Sequence, residues 1–209
     1  MGARELAANP YHVVRLFEAA LCRYTGARYA VTVNSCSMAI LLAVAWHRLR
    51  MNPMECTVEI PRRTYVSVPM SIRHAGCWPK FRDEEWLGEY QLRPLPVWDS
   101  ARRFTSGMFV PGQFQCVSFQ AAKILNDTQG GAILHDDPEA DAWLRRSRFD
   151  GRGEGIAPKD DTFTQIGWHA YMSSDVAARL LLKLHSLPKH NAPLPNDPYP
   201  DLSTMEIFK

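Results

Sequence analysis

Gln115-Cys116-Val117-Ser118-Phe119-Gln120-Ala121-Ala122-Lys123, followed by Gly130-Gly131-Ala132-Ile133-Leu134, is the stretch whose reading decides the fold. Residues 114–119 read as a short, largely apolar strand and residues 131–135 as another. Lys123 falls in the loop between them, flanked by small and apolar residues. Desolvation in such a loop lowers an amine's pKa and makes it nucleophilic toward carbonyls. A lone loop lysine is ordinarily just solvated, so its meaning depends on the segments around it.

Upstream, residues 10–24 carry Val13, Val14, Leu16, Phe17, Ala20 and Leu21 at helical spacing, with Gly26 placed as a C-cap. Residues 29–33 read as a buried strand. Asn34-Ser35-Cys36-Ser37 then leads into an apolar helix over 38–49. A strand, a small polar turn and a helix N-terminus together gather unpaired N–H groups that bind anions; plain N-capping by Ser35 or Ser37 is the competing role. Residues 57–61 form a second strand, 65–74 a helix or loop-helix closed by Gly76, and 78–81 a third strand. The charged residues 83–93 read as a short helix or surface loop. Residues 95–98 make a fourth strand with Asp99 at its carboxyl end, where ligands gather in open α/β sheets; helix capping is the alternative for Asp99.

Downstream, residues 138–146 and 175–187 read as helices, the second carrying Val176, Ala177, Leu180, Leu181 and Leu184. Arg145, Arg146, Arg148 and Arg152 form a basic run, read first as a solvated face and second as a contact for an anionic partner. Residues 188–202 hold five prolines and are expected to be extended. Strand and helix signals alternate, which predicts an α/β fold with a mostly parallel sheet.

At 209 residues the chain suffices for one domain and a small appendage. Its net charge of +2 points to neither a strongly nucleic-acid-binding surface nor an acidic one. The five cysteines (Cys22, Cys36, Cys56, Cys77, Cys116) are odd in number and scattered, which argues for reduced thiols and against a disulfide framework or zinc site. No stretch approaches the roughly 20 apolar residues of a membrane span, and no signal-peptide layout is seen. The expected location is cytoplasmic, the host cytoplasm if the source is viral.

The order of motifs resembles the DegT/DnrJ/EryC1/StrS aminotransferases, pyridoxal-phosphate (PLP) enzymes of fold type I acting mostly on nucleotide-linked keto-sugars. Phe17-Glu18 through Gly26-Ala27-Arg28-Tyr29-Ala30-Val31 is similar to that family's opening helix and strand. Asn34-Ser35-Cys36-Ser37-Met38-Ala39 stands where the family has Asn-Ser-Gly-Thr-x-Ala. Ile60-Pro61 with Thr64-Tyr65-Val66 resembles Pro-x-x-Thr-Phe/Trp, and Trp98-Asp99-Ser100-Ala101-Arg102 resembles Glu-Asp-Ala-Ala-His/Gln. Ser118 to Lys123 with Gly130-Gly131 matches Ser-Phe-x-x-x-Lys and Gly-Gly, and Gly167-Trp168-His169-Ala170-Tyr171-Met172 lies where Gly-x-Asn-x-Arg-Met is expected. Each motif is weak alone; their order is not.

The resemblance implies a three-layer large domain over residues 1–187, a proline-rich tail over 188–209, and no small C-terminal domain. It implies that Lys123 forms a Schiff base with PLP and shuttles a proton, and that Asp99 pairs with the pyridine nitrogen. Ser118, Cys36 and Ser37 would hold the phosphate, Tyr65 and Ala101 would flank the ring, and Arg102 would stand near the cofactor. His169 would reach the cofactor phosphate of a partner subunit, so a homodimer with shared sites is expected. The departures are a short 83–96 segment in place of a longer one with a βα unit, and Arg102, His169 and Tyr171 in place of the family residues.

Three readings follow. The first is a minimal aminotransferase acting on a small or sugar-linked ketone. The second is a PLP decarboxylase or isomerase of an amino-acid adduct, such as an amino-acid-modified thymidine in phage DNA, with Arg102, Arg103 and the Arg145–Arg152 run on phosphates. The third is a degenerate PLP-fold partner subunit. The substrate is a small amine or amino acid, free or carried on a nucleotide or DNA, with no membrane partner.

Overall fold

Helix α1 (His12–Thr25) buries Val14, Phe17 and Leu21 along one stripe, and Gly26 ends it at φ 85°, its N–H donating to Cys22 O. That left-handed conformation is the one glycine adopts without a Cβ penalty. The computed structural model describes residue 9 and residues 11–52 and 56–209; the expected start of this helix at residue 10 lies outside the described residues. Strand β1 (Tyr29–Val33) follows, then helix α2 (Cys36–Arg48), buried without interruption from Ala39 to Trp46. A helix apolar on every side can only be interior.

Strands β2 (Thr57–Pro61) and β3 (Trp78–Arg82) flank helix α3 (Ser67–His74) and pair in parallel. Strands β4 (Tyr90–Leu92), β5 (Val97–Asp99), β6 (Phe114–Ser118) and β7 (Gly131–His135) come next, then helices α4 (Pro138–Ser147) and α5 (Ser174–Ser186). The main sheet runs β1-β7-β6-β5-β4. An antiparallel bridge between Glu59 and Arg93 sets β2 beyond β4. Directions follow from the pairings: β1, β2, β3, β5 and β6 run one way, β4 and β7 the other. The sheet is therefore mostly parallel by strand direction yet mixed by ladder, because both reversed strands are interposed.

Alternate side chains of the strands feed two cores. Val31, Val33, Cys116 and Ile133 pack with α2, α3 and α4 on one face. Ala30, Val117, Ala132 and Leu134 pack with α1 and α5 on the other. Three layers result, as expected. Each large side chain so buried, Phe17 or Leu42 for instance, contributes about 1.5–3 kcal/mol.

Three expectations are corrected. Residues 83–93 are not a helix or plain loop: they contain β4, which returns into β5 through only 93–96, a link so short that it can join antiparallel strands alone. Cys56 and Cys77 are not both free thiols but a disulfide, 4.8 Å apart at Cα. Each stands just before its strand, and the register Thr57↔Trp78 makes them lateral neighbours. Cys22, Cys36 and Cys116 are free. The basic run is not a solvated face either. Arg148, with 2% of its side chain exposed, binds Glu18 and Glu154, Arg145 binds Glu18 and Asp141, and Arg146 binds Asp161. The two pairs with Glu18 tie the end of α4 to α1. Among the described residues no helix is long and apolar enough to cross a membrane.

Candidate active site

Strand direction decides where the chemistry collects. The carboxyl ends of β1, β2, β5 and β6 lie on one edge, together with the amino end of the reversed β7. A cavity of about 590 Å³ opens there, as expected for an open α/β sheet. Cys36 and Ser37 reach it from the start of α2, Tyr65 from beyond β2, Asp99 and Ala101 from the end of β5, Ser118 from the end of β6, and Lys123 and Arg102 from loops. Every candidate but one is thus brought together. His169 is the exception: its side chain is 72% exposed, away from the cavity, with Nδ1 2.9 Å from Asp150 Oδ2.

Asp99 is buried and held at both oxygens. Tyr90 Oη donates to its Oδ2 at 2.8 Å, and the Ala101 N–H donates to its Oδ1 at 3.0 Å. Because the Tyr90 proton is used there, the Thr64 hydroxyl, 2.6 Å from Tyr90 Oη, is the donor in that pair. Burial pushes the Asp99 pKa up; these two bonds and the charges of Lys123 and Arg102 offset it in part. Lys123 makes no ion pair among the described residues. Burial first, and Arg102 second, lower its pKa. Its loop is fastened by Asp127, whose N–H donates to Phe119 O at 2.7 Å and whose carboxylate takes two bonds from Arg179 of α5.

The α2 start is packed as closely as chemistry allows. Ser35 caps it, accepting from the Met38 N–H at 3.2 Å. Ser37 Oγ lies 2.6 Å from Ser67 Oγ. A Cβ on Gly131 would lie 2.6 Å from Cys36 N, so only glycine lets β7 pass this turn. First-turn amides lack intrahelical acceptors and the helix dipole is positive there, which suits an anion. Ser118 lies on the same edge.

Sequence reading missed two parts of this site: the residue behind Asp99 and one stretch of the cavity wall. Tyr90 sat in the charged 83–93 segment; its sign is the alternating Tyr90-Gln91-Leu92 between Gly88 and Pro94. The tail supplies the other part. Leu194, Pro195, Asn196, Asp197 and Tyr199 line the cavity. Arg102, buried, spends its guanidinium on this tail: Nε donates to Pro195 O at 2.7 Å, and Nη2 and Nη1 lie 2.8 and 3.2 Å from the Asp197 carboxylate. Tyr199 stacks on Trp86. No local pattern marked these residues beforehand.

A three-layer sheet with a lysine, an aspartate and a helix start on its carboxyl edge defines the fold type I class of PLP-dependent transferases. The sequence model of the DegT/DnrJ/EryC1/StrS aminotransferase family matches residues 4–94 and 106–193, and the chain belongs to that family. Among solved structures it is similar to Helicobacter pylori PseC, an aminotransferase involved in the biosynthesis of pseudoaminic acid, at 17% identity and TM-score 0.72 over 84% of this chain and 58% of that one. It is also similar to S. venezuelae DesV at 21% identity and TM-score 0.66, over 88% of this chain and 63% of that one. AtS13 from Actinomadura melliaura gives 19% identity and TM-score 0.72 over the same shares of 88% and 63%. At such identities the likeness is one of fold. The chain spans 58–63% of the length of these three structures. No curated protein matches it.

Proposed function

We propose that the chain carries pyridoxal 5'-phosphate on Lys123 and performs an aminotransferase-like reaction at an amine-bearing carbon, with a keto-sugar or other small ketone as acceptor. The observation that carries this reading is a buried carboxylate, Asp99, and an amine with no ion pair among the described residues, Lys123, facing one cavity beside a helix start. The residues fit the group. Among the described residues Asp99 makes no ion pair, and a protonated ring nitrogen against it would oppose the upward shift that burial imposes. When bound, the cofactor supplies an electron sink for the carbon that bears the amine.

The protein's own residues do the rest. Tyr90 and the Ala101 N–H fix the orientation of Asp99, so its charge need not reorganise. Cys36, Ser37 and Ser118 would hold the phosphate at the α2 start, and Tyr65 and Ala101 would flank the ring. Lys123 Nζ, made less basic by its surroundings, takes the proton from the substrate carbon and returns it. His169, exposed beside Asp150, would reach the partner's phosphate in a homodimer; light scattering tests the dimer itself.

Of the arginines named for a DNA-borne substrate, Arg103, Arg145, Arg146 and Arg148 lend it no support. Arg103 pairs with Glu89, and the Arg145–Arg148 run is consumed by the chain's own carboxylates. Absorbance on titrating PLP into wild type and Lys123→Ala tests the reading: a visible band in the first, absent from the second, and bleached by an amino donor. A folded wild type that stays colourless contradicts it.

A further inference from the structure

The tail crosses the cavity as a strap fixed at two points. Leu194 N–H donates to Arg102 O at 2.8 Å, and Leu202 N–H donates to Arg62 O at 2.9 Å, with the Leu202 side chain fully buried. Between them, residues 195–200 make one backbone–backbone bond among those described, internal to the strap, from Tyr199 N–H to Asp197 O. What holds the strap down is side chains: the Arg102 fork, the Asn196 amide on Trp86 O and the Trp86–Tyr199 stack. The two partners at its centre are unequal. Arg102 has 7% of its side chain exposed and belongs to the wall; Asp197 has 64% exposed and reaches in from the surface.

A guanidinium stays charged at every pH the protein meets, and a buried one requires an anion. Asp197 is the one acidic side chain in an ion pair with Arg102 among the described residues. The fork accepts a carboxylate or a phosphate equally well. We propose that Arg102 is the receptor for the substrate's anionic group, and that Asp197 is a built-in competitor for it. A substrate carboxylate or phosphate takes over the guanidinium, and the strap, tethered at Leu194 and Leu202, lifts without leaving the protein. The inference rests on the cavity being the substrate site, and it assigns that substrate's chemistry: it bears an anion.

Calorimetric titration of the full chain with glutarate, and separately with inorganic phosphate, tests this, each with and without saturating PLP. A competitor that occupies the receptor most of the time weakens apparent affinity by its occupancy, so Asp197→Asn should bind at least one anion about tenfold more tightly than wild type. Arg102→Gln should remove that gain in the double variant. Arg102→Lys, which keeps the charge and loses the fork, covers the case in which the glutamine variant does not fold; it should bind more weakly than wild type. A gain for glutarate alone identifies a carboxylate-bearing substrate, and a gain for phosphate alone a phosphorylated one; either supports the proposal. Asp197→Asn binding both anions no more tightly than wild type would overturn it, as would a gain that survives loss of Arg102. Failure to bind PLP would sink the cofactor assignment and leave this readout intact.

Discussion

At the scale of single residues, Asp99 and Lys123 define the site through opposite departures from their ordinary pKa values, the first raised and the second lowered, both chiefly by burial. Because Lys123 loses its proton at lower pH than a solvated lysine, an amine-acylating reagent should modify it at lower pH than the surface lysines. Asp197 raises the Lys123 pKa, so Asp197→Asn should move that labelling lower still; peptide mass mapping across pH reads both shifts. Asp99→Asn removes the charge that a cationic ring nitrogen needs, and should lower kcat by about 100-fold or more with the fold intact. Both residues were legible in the sequence because Asp99 ends a strand and Lys123 lies in the loop after one, inside an ordered set of motifs. Tyr90 was not: its partners Thr64 and Asp99 are 26 and 9 residues away, and only tertiary pairing joins them.

At the scale of elements, periodicity located the helices and most strands to within a few residues, since their apolar faces repeat at 3.6 or 2. It failed where an element's partners are remote. Strand β4 is three residues long and defined by pairing with β5. The Cys56–Cys77 bond follows from the β2–β3 register, which spacing does not reveal. Arg148 looked solvated because its partner Glu18 lies 130 residues away. Removing one side of that buried pair strands the other charge, so Arg148→Ala should destabilise by about 3–5 kcal/mol in urea titration. Gly131→Ala forces a Cβ onto the α2 start and should destabilise by about 1–3 kcal/mol, weakening anion binding there as well.

The Lys123 loop has a pH signature of its own. Arg179 holds the Asp127 carboxyl well below the usual range. Its contribution is therefore complete above the ordinary carboxylate pKa and is lost as pH falls toward the depressed value. Asp127→Asn should lower Tm at neutral pH, by the equivalent of about 1 kcal/mol for a partly exposed charged pair. The difference from wild type should narrow below pH of about 4; a constant difference across pH would contradict the assignment.

At the scale of the whole molecule, the sheet sets the carboxyl edge and the tail closes over it. The proline-rich tail, for which composition predicts only an extended segment, sets Asp197 on Arg102, Tyr199 on Trp86 and Leu202 in the core. This was illegible because an irregular strap has no period, and its anchors are single polar or aromatic side chains. The account's central claim is that the cavity carries its cofactor on Lys123. Borohydride reduction of the full chain with PLP, followed by mass mapping, tests that claim most directly. The account predicts a pyridoxyl group on the Lys123 peptide and its loss in Lys123→Ala. A folded protein whose Lys123 peptide emerges unmodified would contradict it.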